Sequence, residues 1–289
     1  MVSIANKSKK FYSPLRYPGG KACLSEFLAD LIVENDLSDC TYVEPYAGGA
    51  GAALTLLMLE KIEQIIINDF DPAIYSFWKS VVDETDRFIK KIKTVPLTMD
   101  EWSKQKKIYS SKTTDSFKLG FATFYLNRTN RSGIIEGGVI GGNEQLGQWG
   151  IDARFHREHL VERIEKIGQY RNRIKVTNKD GISLIKQLKN KSKIFAYLDP
   201  PYYVKGSSLY LNHYRHNDHQ KLAKILNENA DMNWILTYDN VSEISSLYAD
   251  RSCYEFSLNY HANKAKKGEE LLVLSDNLTM PLTYPDNLN

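Results

Sequence analysis

The sequence predicts an α/β fold, a mainly parallel sheet covered on both faces and interrupted by a helical insertion. Three observations predict it. Short apolar runs of strand length recur at Tyr42 to Tyr46, Gln64 to Phe70, Ile174 to Thr177, Lys193 to Leu198 and Trp234 to Tyr238. Segments with helical character separate most of them, and such alternation implies parallel strands joined by covering helices. Residues 83–170 break the alternation: they are Lys-rich, carry helical patches, and contain a glycine-dense stretch from Gly133 to Gly150. The expected organisation is therefore a catalytic domain from 1–82 and 171–289, with 83–170 inserted as a mostly helical domain.

The elements follow in order. The first strand runs into Ala47-Gly48-Gly49-Ala50-Gly51 and a helix from Ala52 to Glu60. The second strand ends in Asn68-Asp69, and a helix from Pro72 to Val82 starts with proline at a favourable first position. After the insertion come the third strand, a helix from Ile182 to Leu188, and the strand that ends at Asp199. A Gly/Ser/Tyr-rich loop leads to a helix from Asp218 to Ala230, then the strand ending at Tyr238 and a helix near Glu243 to Tyr248. Tyr254 to Tyr260 and Glu270 to Ser275 flank a short polar stretch and read as a hairpin.

Bulk properties narrow the class. With 289 residues, 42% hydrophobic and 25% charged, the chain is an ordinary globular protein. No apolar run reaches membrane-spanning length, and the Lys-rich N-terminus lacks a signal-peptide core. Cys23, Cys40 and Cys253 are unclustered, which disfavours a disulfide framework or a zinc module and suits a cytoplasmic location. The net charge is only +3, but basic residues group at Lys7 to Lys21, Lys104 to Lys112, Arg128 to Arg157 and Lys264 to Lys267. These groups either converge on a phosphate backbone or are solvated helix faces and a loose tail.

Asp199-Pro200-Pro201-Tyr202 carries the most chemistry. Two prolines end the strand, leaving a carboxylate, a stiff carbonyl and an aromatic ring at a strand's carboxyl end, where α/β sheets bind ligands. Asp199 and the Pro200 carbonyl suit the two N–H groups of an exocyclic amine, and Tyr202 suits stacking on its ring. Glu44 to Gly51 is a strand, a glycine turn and a helix start, yet its spacing fails the dinucleotide fingerprint because Leu54 stands where the third glycine belongs. Pro18-Gly19-Gly20-Lys21 likewise lacks the flanking residues of a P-loop. Asp69, about 20 residues beyond the glycines, sits where an acid accepts both ribose hydroxyls of a nucleoside; Asp71 is better placed to cap the next helix. A nucleoside without a phosphate loop, beside an amine holder, points to S-adenosyl-methionine and methyl transfer to a base nitrogen.

In these segments the chain resembles the Dam-like (D12 class) DNA N6-adenine methyltransferases. Leu15-Arg16-Tyr17-Pro18-Gly19-Gly20-Lys21 is similar to that family's N-terminal cofactor segment, Glu44 to Gly51 to its first cofactor motif, and Asn68-Asp69 to its ribose position. Tyr125-Leu126-Asn127-Arg128-Thr129 with Gly133 is similar to its DNA-contacting loop, and Asp199 to Tyr202 to its catalytic motif. The resemblance implies a Rossmann-like S-adenosyl-methionine-dependent methyltransferase sheet whose insertion recognises the target. It implies that Asp199, Pro200 and Tyr202 are catalytic, that Tyr17, Lys21, Gly48, Gly49, Asp69 and Asp199 bind the cofactor, and that Asn127, Arg128 and Arg131 contact DNA. The implied partner is double-stranded DNA, with a cognate restriction endonuclease as an optional second. After Asn127-Arg128-Thr129 the chain departs from the GATC-reading members, so their recognition sequence is not carried over.

Some roles stay open. Asp180 either faces the cofactor's adenine or caps a helix. Arg128 and Arg131 either read guanine edges or grip phosphate. His213, His216 and His219 lie three apart, whereas helical zinc pairs prefer a spacing of four, and no thiolate is near; no metal is expected. The competing functions are an RNA adenine methyltransferase and a catalytically silent DNA-binding regulator on the same fold.

Overall fold

The computed structural model describes residues 12–17, 20–111, 113–189, 191, 193–204, 214–229, 231–260 and 266–281. Seven strands form one sheet: β1 (Thr41–Glu44), β2 (Gln64–Asn68), β3 (Ile174–Thr177), β4 (Ile194–Leu198), β5 (Asn233–Asp239), β6 (Ser252–Tyr260) and β7 (Lys266–Leu274). The order is β3-β2-β1-β4-β5-β7-β6. Strands β1 to β5 pair in parallel, and β7 runs antiparallel to both β5 and β6, as the expected hairpin requires. From β1 the chain winds outward through β2 and β3, then returns to β4 and winds the other way. The switch point therefore lies between β1 and β4, and a crevice opens at their carboxyl ends.

Side-chain alternation covers both faces. Tyr42, Phe195, Tyr197 and Ile235 point into a core shared with α1 (Ser25–Glu34), α2 (Gly51–Met58) and α3 (Pro72–Asp83). Their neighbours Val43, Ala196, Leu198, Trp234 and Leu236 point the other way, against α8 (Gly181–Leu188) and α9 (His216–Asn227). A strand buried on both faces reads as continuous apolar sequence, which is why β4, Ile-Phe-Ala-Tyr-Leu, was legible as a core strand. The helix near Glu243 shrinks to a single turn, α10 (Ser242–Ser245), continued by a 3₁₀ turn to Tyr248. No sequence pattern singled out α1, whose apolar residues Phe27, Leu28, Leu31 and Ile32 recur at helical spacing behind a basic tail. Among the described residues no helix is long and apolar enough to cross a membrane.

Residues 83–170 supply α4 (Thr85–Thr94), α5 (Met99–Ser110), α6 (Ser116–Thr129) and α7 (Arg157–Gln169), with an irregular glycine-bearing segment between α6 and α7. Caps start the helices: Asp71 accepts from the Ala73 amide at 2.8 Å, Thr98 from Glu101 at 3.3 Å, and Asp115 from Lys118 at 3.0 Å. The inserted helices are not separate from the sheet domain's core. Phe77 of α3 stacks on Phe124 of α6 at 5.9 Å and 7°, and Phe88, Phe117, Phe121 and Phe155 extend the aromatic cluster. Gly120 lets the two backbones touch, since a Cβ there would lie 2.3 Å from the Ser76 carbonyl oxygen.

Candidate active site

A cavity of about 380 Å³ occupies the crevice at the carboxyl ends of β1 and β4. Tyr17, Gly20, Lys21, Gly49, Asp69 and Asp199 all line it, so segments nearly 200 positions apart in sequence meet at one wall. Among the described residues, Glu44, Asp69, Asp71, Glu136, Asp180 and Asp199 line the cavity beside one basic residue, Lys21. Such a lining suits a cationic ligand.

The glycine turn leads from β1 into α2, and its conformation is fixed from three sides. Gly48 has φ +47°, its N–H donates to Asp69 Oδ2 at 2.9 Å, and its carbonyl accepts from Trp78 Nε1 at 2.8 Å. The Tyr17 ring lies flat against the turn, leaving no space: a Cβ on Gly48 would be 2.6 Å from that ring, and one on Gly49 2.8 Å from the Tyr17 Cβ. Asp69 Oδ1 also accepts from the Asp71 amide at 2.9 Å. Each Asp69 oxygen thus keeps a second lone pair for a ligand donor. Burial pushes the Asp69 carboxyl up to about 7 despite those amides, with the Asp71 charge adding to the rise. Glu44 is pushed up to about 8, mainly by burial, while it accepts from the Ala53 amide at 2.8 Å and the Tyr42 hydroxyl at 3.2 Å.

Asp199 follows β4 with its side chain 19% exposed. Thr237 of β5 donates to its Oδ1 at 2.9 Å, and Lys21 Nζ lies 3.1 Å from each of its oxygens. Lys21 also donates to the Tyr202 hydroxyl at 2.6 Å, which in turn donates to Glu270 Oε1 at 2.6 Å. Sequence patterns gave no sign of Glu270, because an acid inside a strand carries no motif. Pro200 and Tyr202 are buried beneath the site, and Pro201 takes the lining position. With Tyr202 only 8% exposed and held at its hydroxyl, its ring is part of the core below the cavity. The aromatic side chains that line the cavity include Tyr17 and Tyr46, from the segments that resemble cofactor motifs, together with Phe70, Tyr109, Tyr197 and Tyr214.

The expected DNA-contacting residues divide. Asn127 is 1% exposed; it accepts from the Arg16 amide at 2.8 Å and donates to the carbonyls of Arg16 at 2.9 Å and Gly133 at 2.8 Å. Its oxygen and both N–H groups are engaged, so it clamps the N-terminal segment onto the insertion, and it also lines the cavity. Arg128 is 8% exposed, and its buried Nε has no hydrogen-bond partner among the described residues. Burial, together with Arg16, Arg163 and Arg154, pulls its guanidinium down to about 9. Arg131 is exposed, beside the irregular segment. Asn130, unmarked in the sequence, accepts from Trp102 Nε1 at 2.7 Å and donates to the carbonyls of Ile134 and Ile135 at 3.1 and 2.8 Å, which shapes the cavity rim.

Asp180 caps α8 by accepting from Ser183 at 2.9 Å and also lines the cavity. His216 is exposed against Tyr203, His219 is buried against the Tyr238 hydroxyl at 2.8 Å, and His213 lies outside the described residues, as do Pro18 and Gly19. The His216 and His219 rings both pack against Tyr203, at 5.9 and 5.1 Å between centroids.

A doubly wound sheet with a glycine turn, an acid at the end of β2 and Asp-Pro-Pro-Tyr at the end of β4 defines a Rossmann-like methyltransferase. Residues 17–263 match the D12 class N6 adenine-specific DNA methyltransferase family, and the chain belongs to it. Among curated proteins, Type II methyltransferase M.MjaIII of Methanocaldococcus jannaschii is 23% identical over 205 residues, covering 65% of this chain and 68% of its own. Among solved structures, the rRNA methyltransferase aviRa from Streptomyces viridochromogenes is a remote likeness at 14% identity and a TM-score of 0.42, covering 90% of this chain and 87% of its own.

Proposed function

We propose that the protein transfers a methyl group from S-adenosyl-methionine to N6 of an adenine flipped out of double-stranded DNA. The observation that carries this reading is Asp199 at the carboxyl end of β4, on the wall of the cavity that Asp69 and the glycine turn also line. The residues fit the cofactor. The volume lies within the usual range for small-molecule sites, the lining is acidic where a sulfonium would be bound, and Asp69 keeps acceptor capacity for a ribose diol. Tyr17, Lys21, Gly48, Gly49 and Asp69 would hold it, and when bound it supplies an electrophilic methyl group.

The chain's own residues do the rest. A base inside a duplex is out of reach, so the adenine must leave the stack, at a cost of a few kcal/mol. Asp199 accepts an N–H of the N6 amine, turns its lone pair toward the methyl donor and stabilises positive charge developing on N6. N6 gains a methyl and then loses one proton, which cancels that charge. Asp199 need not be a strong base, because a methylated exocyclic ammonium on an aromatic ring is very acidic.

Arg128 supports phosphate binding over guanine readout. A buried guanidinium crowded by three others is a site short of negative charge, and a DNA phosphate supplies it. Arg128→Ala is expected to weaken binding alike on all sequences and to reduce the slope of log affinity against log salt by about one unit. Fluorescence anisotropy titrations at several salt concentrations measure this, and loss of preference at one base position would assign Arg128 to readout.

The titration of Asp69 gives a second expectation. Its carboxyl titrates near 7 without ligand. Ribose hydroxyls donate to the carboxylate form, so binding favours the anion. Affinity for S-adenosyl-methionine should therefore rise as pH climbs from 6 to 8, and Asp69→Asn should bind weakly with that dependence removed. Calorimetric titration across the range checks it, and an unchanged slope in Asp69→Asn would assign the dependence elsewhere.

The test of the function is incubation with mixed-sequence duplex DNA and methyl-labelled S-adenosyl-methionine, followed by digestion to nucleosides and mass spectrometry. Labelled N6-methyladenine supports the reading, and the modified sites give the recognition sequence. Cofactor binding with no label in DNA would move the assignment to an RNA acceptor or a silent regulator.

A further inference from the structure

Lys21 sets up a conflict at the active site. Asp199 is to stabilise positive charge on N6, yet an ammonium group lies 3.1 Å from each of its oxygens. A lone lysine there would cancel the charge that the reaction needs. The second carboxylate beside that lysine is Glu270, on β7, 1% exposed. Its Oε2 lies 3.7 Å from Lys21 Nζ, and its Oε1 accepts from the Tyr202 hydroxyl, which Lys21 also touches. Glu270 is not among the residues lining the cavity, so it reaches the substrate only through its neighbours.

Resting on the function proposed above, we propose that Glu270 is a positioning residue for methyl transfer: it draws the Lys21 ammonium toward the sheet and leaves Asp199 negative enough to stabilise the N6 cation. With Glu270 ionised, one cation stands between two carboxylates and the group keeps a net negative charge. With Glu270 neutral, the charges of Lys21 and Asp199 cancel and the net charge of the three groups is zero. Tyr202 completes the frame, tying Lys21 and Glu270 together from below.

Several groups face Glu270. Lys21 comes from the N-terminal segment, Tyr197 from β4, Asp199 and Tyr202 from the turn after it, and Asp239 pairs with Glu270 across β5 and β7. Phe256, its register partner on β6, adds no charge. Burial pushes the Glu270 carboxyl up to about 7; Lys21 opposes the shift and Asp199 reinforces it. The productive form is the anion, so turnover should fall as pH drops through that region.

The experiment compares wild type, Glu270→Gln, Lys21→Met and the double variant in single-turnover assays at saturating S-adenosyl-methionine, after melting curves establish folding. Glu270→Gln keeps the shape and the acceptor for Tyr202 but removes the charge. The expected result is a methyl-transfer rate lower by about 10- to 100-fold, with affinities for cofactor and DNA within about threefold of wild type. The wild-type rate should show a falling limb below about pH 7 that Glu270→Gln lacks. In the Lys21→Met background, adding Glu270→Gln should change the rate by less than about twofold, because the two residues act as one unit. A wild-type rate in Glu270→Gln, or an equal loss in both backgrounds, would overturn the proposal. If Glu270→Gln does not fold, the wild-type profile decides: a flat rate from pH 6 to 8.5 overturns it. Failure of wild type to label adenine at all is a different result, and it counts against the function rather than against Glu270.

Discussion

Asp199→Ala is expected to lower methyl transfer by on the order of 10²- to 10³-fold or more, while DNA affinity stays within a few-fold of wild type. The expectation follows from where Asp199 sits. Its carboxylate ends a strand buried on both faces, so the backbone beneath it is fixed. Thr237 holds one oxygen from β5, and Lys21 contacts both. No other acid at the end of β4 can take its place. On the function proposed above, arginines elsewhere bind the DNA, so affinity and turnover should separate. Asp199→Asn should also lose rate, because its amide keeps an acceptor oxygen for the N6 amine but lacks the negative charge that stabilises the N6 cation. Rapid-quench measurement of the chemical step, beside equilibrium DNA binding, checks both variants. Near-normal turnover in Asp199→Ala would remove this residue from the reaction.

Gly48→Ala is expected to reduce affinity for S-adenosyl-methionine by on the order of tenfold, a large effect for one methyl group. Two costs combine. At φ +47° an L side chain costs about 1–2 kcal/mol relative to glycine. The new Cβ would also meet the Tyr17 ring at 2.6 Å. The backbone cannot turn away, because its N–H is held by Asp69 and its carbonyl by Trp78. Tyr17 must move instead, and with it one wall of the cavity. Calorimetry with the cofactor would read the change; an affinity equal to wild type would mean that the turn bears on nothing bound there.

Local rules read much of this protein directly from its sequence. The five parallel strands announced themselves as apolar runs, the proline and Asp71 marked the start of α3, and Asp199-Pro200-Pro201 marked the end of β4. Residues whose role depends on distant partners were harder. Asn127 stood within a DNA-contacting pattern, yet its amide is consumed by Arg16, 111 positions earlier. Tyr202 offered a ring for stacking, but hydrogen bonds to Lys21 and Glu270 hold it under the site. Glu270 stood out in no pattern because its meaning comes from Lys21, which the sheet brings to it across almost the whole chain. Broken strand-helix alternation marked 83–170 as an inserted helical domain, but gave no sign that its aromatic residues pack onto α3.

That aromatic seam has a consequence for how such enzymes can diversify. The joint between sheet and insertion is a stack of rings, with Gly120 pressed against the Ser76 backbone, rather than a pair of flexible linkers. Any replacement for residues 83–170 must therefore restore a ring opposite Phe77 and a residue without a side chain at the place of Gly120. On the function proposed above, changes in the irregular stretch between α6 and α7 alter what the insertion presents to DNA without disturbing this seam.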